Sequence, residues 1–111
     1  MNKILYSPEA LNDIDEIWAY INNELQNSAA AQKIVSDTLD TIEKLRDFSE
    51  LGPPLSSITE FESDYGFLVC GKYIVFYRVM GLDVHIDRVL YGRRNYMSIL
   101  FGTLHNDDDS E

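Results

Sequence analysis

The chain has 111 residues, 45% of them hydrophobic, and a net charge of −10. That length suits one domain with a core large enough to fold without staples, and the single cysteine, Cys70, excludes an internal disulfide. Acidity of this size argues against non-specific binding to free DNA or RNA.

Only a short apolar stretch separates Met1-Asn2-Lys3 from Ser7-Pro8, so no secretory leader is expected. The longest apolar region, residues 67–80, is broken by Lys72 and Arg78 and falls short of the roughly 20 residues a membrane span needs. The expected location is the cytoplasm. Charge is unevenly spread. Residues 1–51 carry 4 basic and 10 acidic groups, residues 52–106 carry 5 of each, and Asp107-Asp108-Asp109-Ser110-Glu111 is wholly acidic. Residues 1–106 read as one domain and 107–111 as a disordered acidic tail. Arg88, Arg93 and Arg94 make a local basic patch with no acid among residues 88–94.

In chain order, Lys3-Ile4-Leu5-Tyr6 reads as a first strand. Ser7-Pro8-Glu9 starts a helix, with a capping hydroxyl, proline at the first helical position and an acid near the positive helix end. Leu11, Ile14, Trp18, Ile21 and Leu25 recur at steps of three and four, which predicts the buried face. Most of Asp13, Asp15, Glu16 and Glu24 should then face water. Asn27-Ser28 opens a second helix whose stripe is Ala31, Ile34, Val35, Thr38, Leu39, Ile42 and Leu45. The short connection makes the two an antiparallel helical hairpin. Leu51-Gly52-Pro53-Pro54 stops it, and residues 56–63 fit either a loop or a weak edge strand.

The period then changes to that of strands at residues 67–70, 73–80 and 83–91. Gly71-Lys72 and Gly81-Leu82 place glycine first in two-residue loops, as type II′ hairpin turns require. The predicted order is β-α-α-β-β-β, an α+β fold with a helical hairpin packed on a small antiparallel sheet. These turns pair Met80 with Asp83, Arg78 with His85, Phe76 with Asp87 and Val75 with Arg88 on one side, and Val69 with Ile74 and Phe67 with Phe76 on the other. One sheet face then carries Phe67, Val69, Ile74, Phe76, Arg78, His85, Asp87, Val89 and Tyr91. The other carries Leu68, Cys70, Tyr73, Val75, Tyr77, Val79, Val84, Ile86, Arg88 and Leu90. Both faces are apolar and one hairpin covers one of them. Residues 96–104, or a partner protein, must cover part of the other.

Three segments resemble one family. Tyr6-Ser7-Pro8-Glu9-Ala10, with Leu11, Asp13, Ile14, Ile17, Trp18 and Tyr20, is similar to the first strand and helix of ParE-like toxins of the RelE/ParE superfamily. Val69-Cys70-Gly71-Lys72-Tyr73-Ile74-Val75-Phe76-Tyr77-Arg78-Val79 resembles the central hairpin. Ile86-Asp87-Arg88-Val89-Leu90-Tyr91-Gly92-Arg93-Arg94-Asn95 resembles the final strand and its basic end. The resemblance implies the same two-helix, small-sheet fold and the toxic half of a type II toxin–antitoxin pair. It also implies a cognate antitoxin that wraps the toxin. ParE-like members inhibit DNA gyrase, and RelE-like members cleave messenger RNA on the ribosome. This chain departs from the family pattern at Gly66, where an arginine is common, and at Tyr91 and Asn95, where a histidine and an aspartate are common. These departures weigh against catalysis.

The favoured function is therefore growth inhibition by binding a protein target such as gyrase, without bond-making chemistry. The alternative is a ribosome-dependent endoribonuclease, for which Arg78, Arg88, Tyr77 and His85 are the catalytic candidates. A second alternative is an inactive module that only binds antitoxin. RNA cleavage needs a base, an acid and cations for developing phosphate charge, and arginine supplies only the cation. Arg88 is in phase with Val84, Ile86 and Leu90, and equally fits an ion pair with a helix carboxylate. Arg78 near Asp87 fits a surface polar cluster. Arg93, Arg94 and Tyr91 are the target-binding candidates, and Phe67, Val69, Ile74 and Phe76 the antitoxin-binding strip. Trp18 is expected in the core. Tyr20, out of phase with it, suits a contact with a target or with a second copy in a homodimer. No cofactor is called for, and His85 and His105 have no partners at metal-ligand spacing.

Overall fold

The computed structural model describes residues 2–59 and 62–101. The acidic tail, His105 and residues 102–104 lie outside that range. Strand β1 (Lys3–Tyr6) leads into helix α1 (Pro8–Ala19), which continues as a π-helical turn over Tyr20–Glu24. Helix α2 (Ser28–Glu43) runs back and tightens into a 3₁₀ turn at Lys44–Arg46. A second 3₁₀ turn, Leu55–Ser57, precedes strands β2 (Gly66–Cys70), β3 (Tyr73–Met80) and β4 (Asp83–Tyr91), and a short helix α3 (Tyr96–Phe101) follows. No helix among the described residues is long and apolar enough to cross a membrane.

Local chemistry accounts for the helix starts. The Ser7 hydroxyl accepts the Ala10 N–H at 2.9 Å, and Pro8 opens α1. Asn27 caps α2, its side-chain oxygen accepting the Ala30 N–H at 3.0 Å. Gln26 closes the connection in the left-handed region, at φ 51°. Both hairpin turns carry positive φ at their first residue, 62° at Gly71 and 63° at Gly81, while Lys72 and Leu82 do not. That single positive angle separates type II′ from type I′ and is why glycine stands there.

The strand order is β1-β4-β3-β2. β2, β3 and β4 are antiparallel, as expected. β1 instead runs parallel to β4, with Lys3 opposite Asp83 and Tyr6 opposite Ile86, so the sheet is mixed. The edge of β2 is partly taken: the Leu55 N–H donates to the Tyr65 carbonyl at 2.8 Å and the Phe67 N–H to the Pro53 carbonyl at 3.1 Å. β1 closes the opposite side of the sheet.

Two further expectations from the sequence are corrected. The β3–β4 ladder starts in the predicted register, Met80 with Asp83 and Arg78 with His85, but Tyr77 pairs with Ile86 and Phe76 with Arg88. Asp87 is thus an extra residue in β4, a bulge, and Val75 pairs with Val89 and not with Arg88. An inserted residue reverses the faces beyond it. Val89 therefore joins the helix-side core with Val75, Val84, Ile86 and Ile42, while Leu90 joins Phe76 and Leu55 on the opposite side. The second correction concerns α1. Ala10, Asp13 and Ile21 are buried, and Ile14 and Ile17 pack against the core. Leu11 is 52% exposed, Trp18 41% and Leu25 58%. The helix is rotated from the apolar stripe because a carboxylate, Asp13, is turned inward.

The second sheet face is covered from within the chain. Leu55, Phe76 and Leu90 are buried there beneath Tyr96, Ile99, Leu100 and Phe101, with the Phe76 and Tyr96 rings 5.2 Å apart. The loop before β2 is latched to the sheet by Tyr77, whose hydroxyl accepts the Gly52 N–H at 3.0 Å. The same hydroxyl oxygen lies 3.3 Å from the Ser49 and Gly52 carbonyls, either of which can accept its proton. A β-carbon on Gly52 would run into the Phe67 carbonyl and the Tyr77 hydroxyl. Gly52→Ala should therefore lower stability by about 1–3 kcal/mol, the usual cost of overpacking, measured by thermal or urea unfolding. An unchanged midpoint would show that the latch gives way freely.

Candidate functional site

The sheet arginines of the sequence reading are both held by carboxylates. Arg88 grips Asp13 bidentately, Nε to Oδ2 at 2.7 Å and Nη2 to Oδ1 at 2.8 Å. The Val89 N–H adds a third bond to Asp13 Oδ2 at 2.9 Å. Donating its hydrogen bonds to Asp13 raises the Arg88 pKa further. On the opposite side of the sheet, Arg78 Nε lies 2.9 Å from Asp87 Oδ2, a contact of charges whose N–H is not aligned as a hydrogen bond. The Arg78 guanidinium also sits 5.4 Å over the Tyr65 ring. The bulge thus sends the adjacent Asp87 and Arg88 to different partners.

The remaining catalytic candidates are split between the two sides of the sheet. His85 faces Arg78 across the ladder. Tyr77 is buried in the helix-side core with its hydroxyl committed to the Gly52 loop. Burial pushes the Tyr77 pKa up, and burial, then Asp87, does the same for Tyr65. Both stay phenols and make poor proton acceptors near neutrality. No cluster of three metal-capable side chains occurs among the described residues.

Of the strip expected to receive an antitoxin, Phe76 is fully buried under α3, and Phe67 and Ile74 pack in the same cluster. Val69 stands apart, 63% exposed. An open concavity lies elsewhere, in a groove of about 1080 Å³ between the helical hairpin and the end of the sheet. Ile17, Tyr20 and Ile21 form its α1 side, Ala30, Ile34 and Thr41 its α2 side, and Val69, Tyr73, Val89 and Tyr91 its sheet side. The Tyr73 and Tyr91 rings are 5.9 Å apart. Burial raises the Tyr73 pKa, helped by Tyr20 and Tyr91. Burial likewise raises that of Cys70, against Thr41 and Lys44, so this thiol stays protonated. Glu16 and Asp37 stand at the helix side of the groove and Lys72 and Arg94 at the sheet side. Tyr91 and Arg94 thus belong to it. Arg93 is exposed outside it.

The sequence reading missed this groove because its walls come from five elements, α1, α2, β2, β3 and β4, with no shared motif. Tyr20 was the one signal, an aromatic out of phase with the helix core. The π-helical turn that begins at Tyr20 adds a residue to the helix just where it lines the groove. Such turns are frequent at functional sites.

The family model for the ParE toxin of the type II toxin–antitoxin system parDE matches residues 4–96. The chain belongs to that family and is a ParE-type toxin of a type II toxin–antitoxin system. Among solved structures it is similar to a chain of the chromosomal ParDE system from P. aeruginosa, at 20% identity and TM-score 0.69, over 82% of this chain and 96% of that one. It is also similar to YafQ from E. coli strain BL21(DE3), at 16% identity and TM-score 0.46, over 92% of this chain and 100% of that one. No curated protein matches the sequence significantly.

Breaking a buried ion pair from one side leaves an uncompensated charge and costs about 3–5 kcal/mol. Asp13→Ala should destabilise the fold at the lower end of that range, since Arg88 is partly solvated. Asp13→Asn should cost less, because an amide oxygen still accepts the Val89 N–H. Urea unfolding of both variants checks this. Equal stability of Asp13→Ala and the parent would remove the pair from any structural role.

Proposed function

We propose that this toxin arrests growth by binding a protein target, with DNA gyrase as the target the family implies, and that a cognate antitoxin neutralises it. The observation that carries this reading is the commitment of Arg78 and Arg88 to Asp87 and Asp13. A ribonuclease would need such cations free to meet phosphate charge as it develops. In addition, Tyr65, Tyr73 and Tyr77 are all held in the protonated form. What remains for contact is the exposed basic end, Arg93 and Arg94, next to Tyr91.

The reading is tested with purified protein in a gyrase supercoiling assay, where inhibition at stoichiometric toxin is expected. Supercoiling untouched at large excess, together with A-site cleavage in primer extension after induction, would transfer the function to the ribonuclease reading. Arg93→Ala/Arg94→Ala should leave stability within about 0.5 kcal/mol, as exposed substitutions usually do, while toxicity falls at least tenfold in a dose-controlled growth assay. Undiminished arrest at equal abundance would assign these arginines to solubility alone.

A further inference from the structure

Three cations gather at one end of the sheet. The Gly92 N–H donates to the Lys72 carbonyl at 2.8 Å, which holds the Lys72 turn beside the loop of Arg93 and Arg94. All three residues are exposed, and none takes part in a salt bridge among the described residues. Arg78 and Arg88, by contrast, each have a carboxylate of their own. The opposite charge stands a short way along the chain. Residues 95–106 contain no Asp, Glu, Lys or Arg, and Asp107-Asp108-Asp109-Ser110-Glu111 then carries four acids in five residues. The connection is long enough for a return. Helix α3, Tyr96–Phe101, carries the chain about 9 Å from the arginine loop at about 1.5 Å per residue. Residues 102–106 reach up to about 17 Å when extended. At the end of α3 the Phe101 ring is 5.9 Å from that of Tyr65, over which Arg78 sits. Arg78 is therefore within the same reach, but Asp87 already answers its charge.

We propose that residues 107–111 fold back over Lys72, Arg93 and Arg94 and compete with the target for them, so that the chain carries a partial mask of its own basic end. The masking rests on the reading of Arg93 and Arg94 as target contacts; the seat does not. Charge and connectivity select the occupant. A second copy of the chain brings another net −10 and has to be gathered from solution. The chain's own acidic segment is held by a short connection at an effective concentration of about a millimolar. Contacts of this kind are exposed, and so individually weak and screened by salt. Weakness suits a mask. A target that adds contacts beyond charge, at Tyr91 among others, displaces it. An anion that offers charge alone has to compete with four tethered carboxylates.

The experiment uses the full chain. A nitroxide is attached at Ser110→Cys in a Cys70→Ala background, and the proton–nitrogen NMR spectrum, which also verifies the fold, reads which amides it broadens. Broadening is expected at Lys72 and residues 91–95. It should vanish in about 1 M salt, where the screening length is about 3 Å, and when Arg93→Ala/Arg94→Ala is added. Broadening confined to Arg78 and its neighbours, or none at all, overturns the seat. In parallel, Asp107→Asn/Asp108→Asn/Asp109→Asn/Glu111→Gln removes the charge and keeps the length. Its dose for growth arrest should be about threefold to tenfold lower than the parent's, the effect of two exposed ion pairs. In the Arg93→Ala/Arg94→Ala background the same substitutions should change nothing. Equal arrest doses for parent and tail variant at equal abundance overturn the masking. Arrest undiminished by Arg93→Ala/Arg94→Ala overturns the target reading and the masking with it, while broadening at residues 91–95 still upholds the seat.

Discussion

A single carboxylate inside the helix–sheet interface sets much of the geometry around it. Asp13 is nearly inaccessible to solvent and receives three donors, two from the Arg88 guanidinium and one from the Val89 amide. A buried charge is tolerated only when it is fully satisfied. Meeting that demand fixes the rotation of α1, because Asp13 must point at β4. It also fits the bulge, since the Val89 N–H, two residues past the inserted Asp87, is the third donor. The net stability of such a pair is small against apolar alternatives of the same shape. Its effect is to admit one arrangement of helix on sheet.

The same pair explains which parts of the structure were legible in the sequence. Strand and helix identities, both II′ turns, the Ser7 and Asn27 starts and the α2 stripe follow from local chemistry, and all are present. The α1 stripe was misjudged because periodicity assigns acids to water, and Asp13 is the exception. Leu11, Trp18 and Leu25 accordingly moved from the expected core toward solvent. The parallel placement of β1 was not legible, since nothing in four residues states which strand they pair with. Nor was the bulge. Asp87-Arg88-Val89 carries no glycine or other mark of an extra residue, and one inserted position reassigned Val89 and Leu90 to opposite cores.

Coverage of the sheet bears on recognition. Two apolar faces and one helical hairpin suggested that a partner's share would be the uncovered face. The 3₁₀ turn at Leu55 and helix α3 fill that share. An open concavity lies on the helix side, where α1 and α2 meet the ends of the strands. Its rims differ in sign because the helical half of the chain is acidic, while Lys72 in the β2–β3 turn and Arg94 beyond β4 stand on the sheet side. The asymmetry noted in the linear charge count thus becomes, after folding, a polarity across one groove. Local sequence distributes the charges, but only the convergence of five elements gives them a common opening.

The pairing of the first strand with the last has a consequence for how the protein is made. β1 lies beside β4, and the Ser7 hydroxyl donates to the Asp87 carbonyl across 80 residues of chain. Asp13 waits for Arg88 over nearly the same distance. Contacts so far apart in sequence are late to form and slow the folding of small domains. A nascent chain emerging from the ribosome therefore carries an acidic helical hairpin with a buried-charge position still unpartnered until its final strand has cleared the exit tunnel. Closure of the helix–sheet interface therefore awaits β4, and a chain broken off before Arg88 lacks both the arginine its first helix requires and the basic end beyond it.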